Sequence, residues 1–329
     1  MLEAGSDMRG SVPESMHTFS LKKYLSMPDS NHKNSIKITR LDGFRVLVIG
    51  GPDRVEFLQG QLTQDVTTLE AAGTALAGWA TAKGRMLAVG QLIAAGDQIW
   101  WPLPTDIIES VARRLQMFVL RAQVKIVQSE MPVAGIFDIG ALDGLDIAGE
   151  NVSLDDRPQQ LEDGSLVVRV TGDPDRAWLL GPAVALTEFE PADKSDWTLR
   201  SIRSGVPFIV AATQEQFVPQ MLNLDRLGAI SFEKGCYVGQ EIVARTQNLG
   251  RIKRRMYGFS TEAASTFDPG ATIYGPDDST GKIVLSAHNE NATEMIAVVS
   301  INHAQDGWYA DQERTLNLTP APLPYDLPD

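Results

Sequence analysis

Apolar and polar positions alternate through Ser35–Ile49, the pattern of a half-buried strand, before the chain turns at Gly50-Gly51-Pro52. In the following PDRVEFLQGQL, Val55, Leu58 and Leu62 recur at helical spacing, and Pro52 suits a first helical turn. Strands are predicted over Gly73–Thr81, Met86–Ala94 and Gln98–Leu103. A helix follows from Thr105 with Ile108, Val111, Leu115 and Phe118 on one face, then a strand over Gln123–Gln128. A second unit of the same texture runs from Val133 to about Gln247, with strands near Leu166–Thr171 and Ala177–Leu180 and a helix over Trp197–Ser204. From Met256 the pattern changes to the short β-like runs MYGFS, TIYG, GKIVLSAH, MIAVVSIN and TLNLTP, separated by Gly, Pro, Asp and Asn. These imply a small all-β domain, read as a barrel. The chain therefore divides into a loose tail at 1–33, α+β halves at 34–130 and 131–248, and a β-barrel at 249–329.

The glycines after the first strand do not make a dinucleotide fold, because Gly50-Gly51 followed by Pro lacks the GxGxxG spacing that lets the backbone approach a pyrophosphate. The 329 residues are 43% hydrophobic and 22% charged, a globular balance with room for several cores. No apolar run approaches the ~18–20 residues of a membrane span. The first residues carry Glu3, Asp7 and Glu14 and lack an apolar signal region, and Met16 is an alternative start. A single cysteine, Cys236, excludes a disulfide framework and fits a reducing, cytoplasmic setting. Four histidines, none at HxxxH spacing, give no ligand set for a metal held by this chain alone.

A net charge of −13 argues against a protein built to wrap nucleic acid. The exception is Arg245–Arg255, RTQNLGRIKRR, with five basic residues and no acid. It reads either as a solvated strand edge or as a local anion site for a polyglutamyl tail or RNA. Direct tRNA binding would rest on this stretch alone and is the weaker reading.

The densest chemical signal lies in Lys234-Gly235-Cys236-Tyr237-Val238-Gly239-Gln240-Glu241, where a turn rich in glycine meets a helical start. A lysine and a helix N-terminus beside Cys236 both favour thiolate, although a lone cysteine is more often a small buried hydrophobe. Glu241 and Arg245 stand at i,i+4, which on a helix makes a surface ion pair worth a few tenths of a kcal/mol.

This segment matches in full the form K-G-C-[FY]-x-G-Q-E, and on it the chain resembles the YgfZ family. FLQGQLTQDV at 57–66, TAKGRML at 81–87, GVPFI at 205–209, PQMLNLD at 219–225 and a closing PLPYDLPD extend the resemblance over residues 36–329. It implies the aminomethyltransferase-like arrangement of glycine-cleavage T proteins: two ferredoxin-like, folate-binding domains and a C-terminal β-barrel forming a three-domain ring. It implies tetrahydrofolate or a derivative as cofactor, with contacts from Phe44, Trp197, Gln220, Asn223 and Arg245. Phe44 stands where the family has tryptophan, keeping an apolar ring but losing the indole donor.

T proteins carry an acidic pair in a segment that aligns here with Thr81–Val89, and that pair has become Ala88 and Val89. Without the carboxylate, acid–base work on folate lacks its agent, which argues against glycine cleavage. Two functions stay open. One is a folate-binding accessory factor that supports iron–sulfur enzymes and, through them, tRNA modification, with Cys236 and its neighbours Lys234, Gln240 and Glu241 acting at the mouth of the pocket. The other is a folate-dependent one-carbon enzyme with Cys236 as nucleophile and Glu241 as base. A third, structural reading makes Lys234–Glu241 a turn that locks the second half to the barrel.

Overall fold

The computed structural model describes residues 36–140, 144–154, 157–185, 190–248, 252–263 and 265–327. The tail at 1–33 and Arg251 lie outside them. The first half holds an antiparallel five-stranded sheet in the order Thr74–Ala80, Met86–Ala95, Gln98–Pro104, Phe44–Gly50, Lys125–Ser129. The second holds a six-stranded sheet ordered Gln159–Gln160, Leu166–Val170, Asp173–Leu180, Val133–Phe137, Lys37–Arg40, Glu190–Pro191. The strand Lys37–Arg40, which precedes the first sheet in sequence, thus pairs antiparallel with Val133–Phe137 in the other sheet. Leu41 begins the turn between them, its N–H donating to the Val133 carbonyl. Six strands from Arg254–Thr261 to Asn317–Ala321 close into a barrel.

Alternation along the strand Phe44–Gly50 sets the layering. Leu47 and Ile49 join the core under the helix Thr105–Gln116, with Ile107, Ile108, Val111 and Leu115. Phe44, Val46 and Val48 point the other way and meet Val168, Trp178 and Leu180 of the second sheet. The second sheet turns Ala134, Ile136, Ala177 and Leu179 to a further core, where Leu145, Ile147 and Val152 of a small hairpin cover it. The apolar run in Thr293–Ser300 also has a layered cause. Met295, Ala297 and Val299 fill the barrel around Trp308, while Ile296 and Val298 pack outward into the core of the first sheet. A strand buried on both faces reads as a continuous hydrophobic stretch.

Two expected elements are shorter than their periodicity suggests. The first helix is only Arg54–Gln59, and Leu62 instead bridges to Trp79. The helix Thr105–Gln116 stops before Phe118, which lies edge-on to Trp79 with centroids 6.5 Å apart and remains 41% exposed. No helix among the described residues is long and apolar enough to cross a membrane.

The barrel is tied to the segment before it by a buried ion pair. Arg255 gives both terminal nitrogens to the Asp225 carboxylate, at 2.9 and 2.7 Å, and also reaches the Gln220 carbonyl and the Asn223 side chain. Arg255 is 1% exposed, so losing its counter-charge leaves a cation with nowhere to go. Asp225→Ala is expected to cost about 3–5 kcal/mol of unfolding free energy. Urea denaturation checks this, and an unchanged midpoint would contradict the role assigned to the pair.

Candidate functional site

The face-to-face contact of the two sheets opens at one edge into a slot walled by aromatic rings. The Phe44 ring meets those of Phe208, Trp178 and Trp197 edge-on at 5.3, 5.5 and 6.4 Å, and Trp178 and Trp197 lie 4.2 Å apart. The cavity itself is ≈ 40 Å³, so the slot is nearly closed by its own rings. The rings touch one another, so a flat occupant enters by parting them.

Trp197 is presented by the helix Lys194–Arg203, whose N-terminus is capped by Asp193 accepting from the Ser195 N–H at 2.8 Å. The same helix sends Leu199 and Ile202 into the core of the first sheet, which fixes the angle at which Trp197 crosses the second. Its indole lies on Gly135, where a Cβ would fall 2.4 Å from the ring. Gln91, buried in the first sheet, links the two walls. Its carbonyl oxygen accepts from the Thr171 N–H at 3.0 Å and the Trp178 indole at 3.3 Å, and its amide donates to the Arg169 carbonyl at 2.9 Å.

Arg176 is the charged side chain in this wall. Its Nε donates to Asp173 at 2.9 Å, its Nη1 to the Trp197 carbonyl at 2.8 Å and to Ser201 Oγ at 3.1 Å, and its guanidinium lies 4.4 Å from the Trp197 ring centroid. Burial brings its pKa down to about 10, against the opposing pull of Asp173, so it stays charged at neutral pH. No carboxylate lines the slot; Val89 does, and Ala88 is buried beside it. The arrangement can hold a flat heteroaromatic ring between aromatic faces with an acceptor directed at a cation. It offers no carboxylate to move a proton.

The Lys234–Glu241 segment forms a separate site. Lys234 Nζ donates to the carbonyls of Leu62 and Gln64, at 2.9 and 2.7 Å, and lies 5.2 Å from the Tyr237 ring centroid. The ammonium is thus drawn inward to the first half, whereas sequence adjacency suggested a partner for Cys236. The Val238 N–H donates to the Gly60 carbonyl at 3.2 Å. Gly239, at φ +85°, sits so close to the Thr81–Gly84 turn that a Cβ would lie 2.5 Å from the Thr81 carbonyl oxygen. FLQGQLTQDV, TAKGRML and KGCYVGQE, three separated stretches of sequence, are therefore one packed contact. At its surface Cys236 is exposed, and no hydrogen bond among the described residues links it to an acid or base. Gln240 opens the helix Gln240–Asn248, on which Glu241 and Arg245 form the i,i+4 pair at 2.9 Å with both side chains largely exposed.

Of the five residues expected around a folate, Phe44 and Trp197 meet in the slot. Gln220 and Asn223 belong instead to the buried network around Arg255, donating to the carbonyls of Val243 and Met256. Arg245 stands on the outer helix. No residue of Lys234–Glu241 lines the slot. The segment packs on the turn at Gly84, five residues of strand from Val89 and hence roughly 16 Å away, so it does not form the mouth. The basic stretch Arg245–Arg255 is likewise divided, with Arg255 buried against Asp225 and Arg245 paired on the surface. Sequence reasoning missed Gln91, Arg176, Trp178 and Phe208. The available signal was Arg176 two residues before Trp178 in one strand, which places a cation on the same face as an indole.

No protein-family model matches the chain. Among solved structures, the glycine cleavage system aminomethyltransferase T from Bartonella henselae superposes with a TM-score of 0.69 at 13% identity, covering 88% of this chain and 86% of that one. The fold, two sheet-bearing halves and a closed barrel, is thus that of the aminomethyltransferase class. The tRNA-modifying protein YgfZ of Serratia proteamaculans (strain 568) is 29% identical over 317 residues, covering 91% of this chain and 96% of the relative. Its namesakes from Escherichia coli O7:K1 and Klebsiella pneumoniae (strain 342) are 29% identical over 318 residues, with similar coverage. Over nearly its whole length the chain is thus similar to the YgfZ proteins.

The inward-held lysine gives a pH signature. Burial lowers the Lys234 pKa from 10.5 to about 8, with Asp65 partly opposing it. Between these values the unfolded chain binds the proton more readily than the folded one, so stability rises with pH from about 8 to 10.5 and falls again as pH drops back toward 8. Lys234→Met is expected to flatten that rise. Urea unfolding of both proteins across this range measures it, and parallel curves would refute the buried-lysine assignment.

Proposed function

We propose that this chain is a folate-binding accessory protein that supports tRNA modification through the upkeep of iron–sulfur enzymes. The observation that carries the reading is the slot, with its aromatic faces and one buried cation. Those faces suit a pterin or aminobenzoyl ring, and the T-protein-like fold supports the same ligand class. A bound folate would supply a one-carbon carrier. Phe44, Trp178, Trp197 and Phe208 would hold and shield it, and Arg176 would orient it.

The link to tRNA rests on the name borne by the YgfZ relatives and on the KGCYVGQE segment, whose exposed thiol is built into a rigid turn. One thiol completes a sulfur or cluster site only with a partner molecule, which favours an accessory role at an interface with a client enzyme. A one-carbon enzyme using Cys236 as nucleophile is less well supported, since no base is hydrogen-bonded to the thiol and the motif stands away from the slot.

Calorimetric titration with tetrahydrofolate and its 5-formyl derivative is expected to show saturable binding that Trp197→Ala weakens at least tenfold; no binding of either form would end the folate reading. For the second site, Cys236→Ser is expected to melt with the wild type yet fail to restore tRNA methylthiolation in a strain lacking its YgfZ. A large drop in melting temperature would assign the cysteine to the structural lock instead.

A further inference from the structure

The two most deeply buried arginines of the fold are held differently. Arg255 has its terminal nitrogens closed around both oxygens of Asp225, an end-on fork that leaves its buried Nε without an acceptor among the described residues. Arg176 is equally enclosed, at 1% exposed, but meets Asp173 through Nε alone. The other oxygen of Asp173 accepts the Asp175 N–H at 3.0 Å. Nη1 is taken by the Trp197 carbonyl and Ser201 Oγ. Of the five guanidinium donors, those on Nε and Nη1 are used, the pair on Nη2 donates to no described residue, and Arg176 lines the slot. An unmet donor on a buried cation is costly, and here the cation borders the space a ligand would take.

We propose that Arg176 determines which ring the slot accepts: its Nη2 donates to the 4-oxo oxygen of a pterin, so the site takes 4-oxo pterins and rejects their 4-amino counterparts. This rests on the folate reading above. Trp197 stacks on the guanidinium, and Trp178 and Phe44 stand at ring-contact distance, so the acceptor that reaches Nη2 belongs to a flat ring lying among these faces. A glutamyl carboxylate is the poorer candidate. It would have to shed its water among aromatic rings to reach a cation that Asp173 already offsets, and it stays hydrated at the mouth. A lactam oxygen is neutral, in the ring plane, and cheap to desolvate by comparison. A 4-amino ring turns donors toward Arg176, and once protonated it sets like charges together. The slot contains no carboxylate to compensate, which is the partner a cationic diaminopyrimidine needs.

The test compares tetrahydrofolate with tetrahydroaminopterin, which differ in the 4-oxo or 4-amino group, by calorimetry and by quenching of the slot tryptophans on the full-length protein. Wild type is expected to bind the 4-oxo form at least tenfold more tightly, and tetrahydropteroate, which lacks the glutamyl carboxylates, is expected to keep that preference over its 4-amino counterpart. Arg176→Met is expected to weaken 4-oxo binding tenfold and reduce the preference to under threefold. Arg176→Lys, which keeps the charge beside Asp173, serves if Met impairs folding, and the wild-type ligand comparison needs no variant. Equal binding of the two forms by wild type overturns the assignment and leaves the folate reading standing. So does a preference that survives undiminished in folded Arg176→Met or disappears with the glutamyl tail. Absence of saturable binding by either form overturns both.

Discussion

A cation withdrawn from water must find acceptors already held in place, and three such cations govern how the parts of this molecule meet. Arg255 fastens the first barrel strand to the Pro219–Leu222 turn and Asp225. Lys234 reaches across to the carbonyls of Leu62 and Gln64. Arg176 binds the carbonyl of Trp197 and so holds a helix of the second half over its own sheet. Each penalty is met only in the assembled fold, so each cation specifies an arrangement as well as contributing to stability. Hydrophobic burial supplies the larger driving force but is less particular about geometry.

The functional surfaces follow from that arrangement. Because Phe44–Gly50 is buried on both faces, its even-numbered side chains are available to the second sheet, and the slot forms where this second contact runs out at Phe44. The KGCYVGQE turn is fixed by a different contact, the close approach of Gly239 to Thr81, at the far end of the hairpin whose strand walls the slot. The aromatic slot and the exposed thiol are thus set apart along a shared hairpin.

Much of the fold was legible in sequence because strand alternation and turn residues are local signals. Leu166–Val170 and Met86–Ala95 fall within a residue of their expected bounds, and the barrel announces itself through short β runs. The failures have a common cause. The spacing of Val55, Leu58 and Leu62 implied a longer helix, but Leu62 is claimed by Trp79 across the sheet. Phe118 continued the helical stripe in spacing, yet the helix ends two residues earlier. Lys234 stood beside Cys236 along the chain, but its ammonium found better acceptors in another domain. In each case a tertiary contact outweighed a local preference.

By itself the sequence determined the α+β halves and barrel and the KGCYVGQE segment, both of which are properties of neighbours along the chain. It also nominated Phe44 and Trp197, which the fold brings together. Only the tertiary structure decided that Gln91, Arg176 and Phe208 join them, that Gln220 and Asn223 serve the Arg255 network, and that Lys37–Arg40 crosses into the second sheet. The physical reason is that a pocket wall is assembled from residues more than a hundred positions apart. Its free donor at Arg176 is defined by which acceptors the fold has already used, and no periodicity in the chain records that.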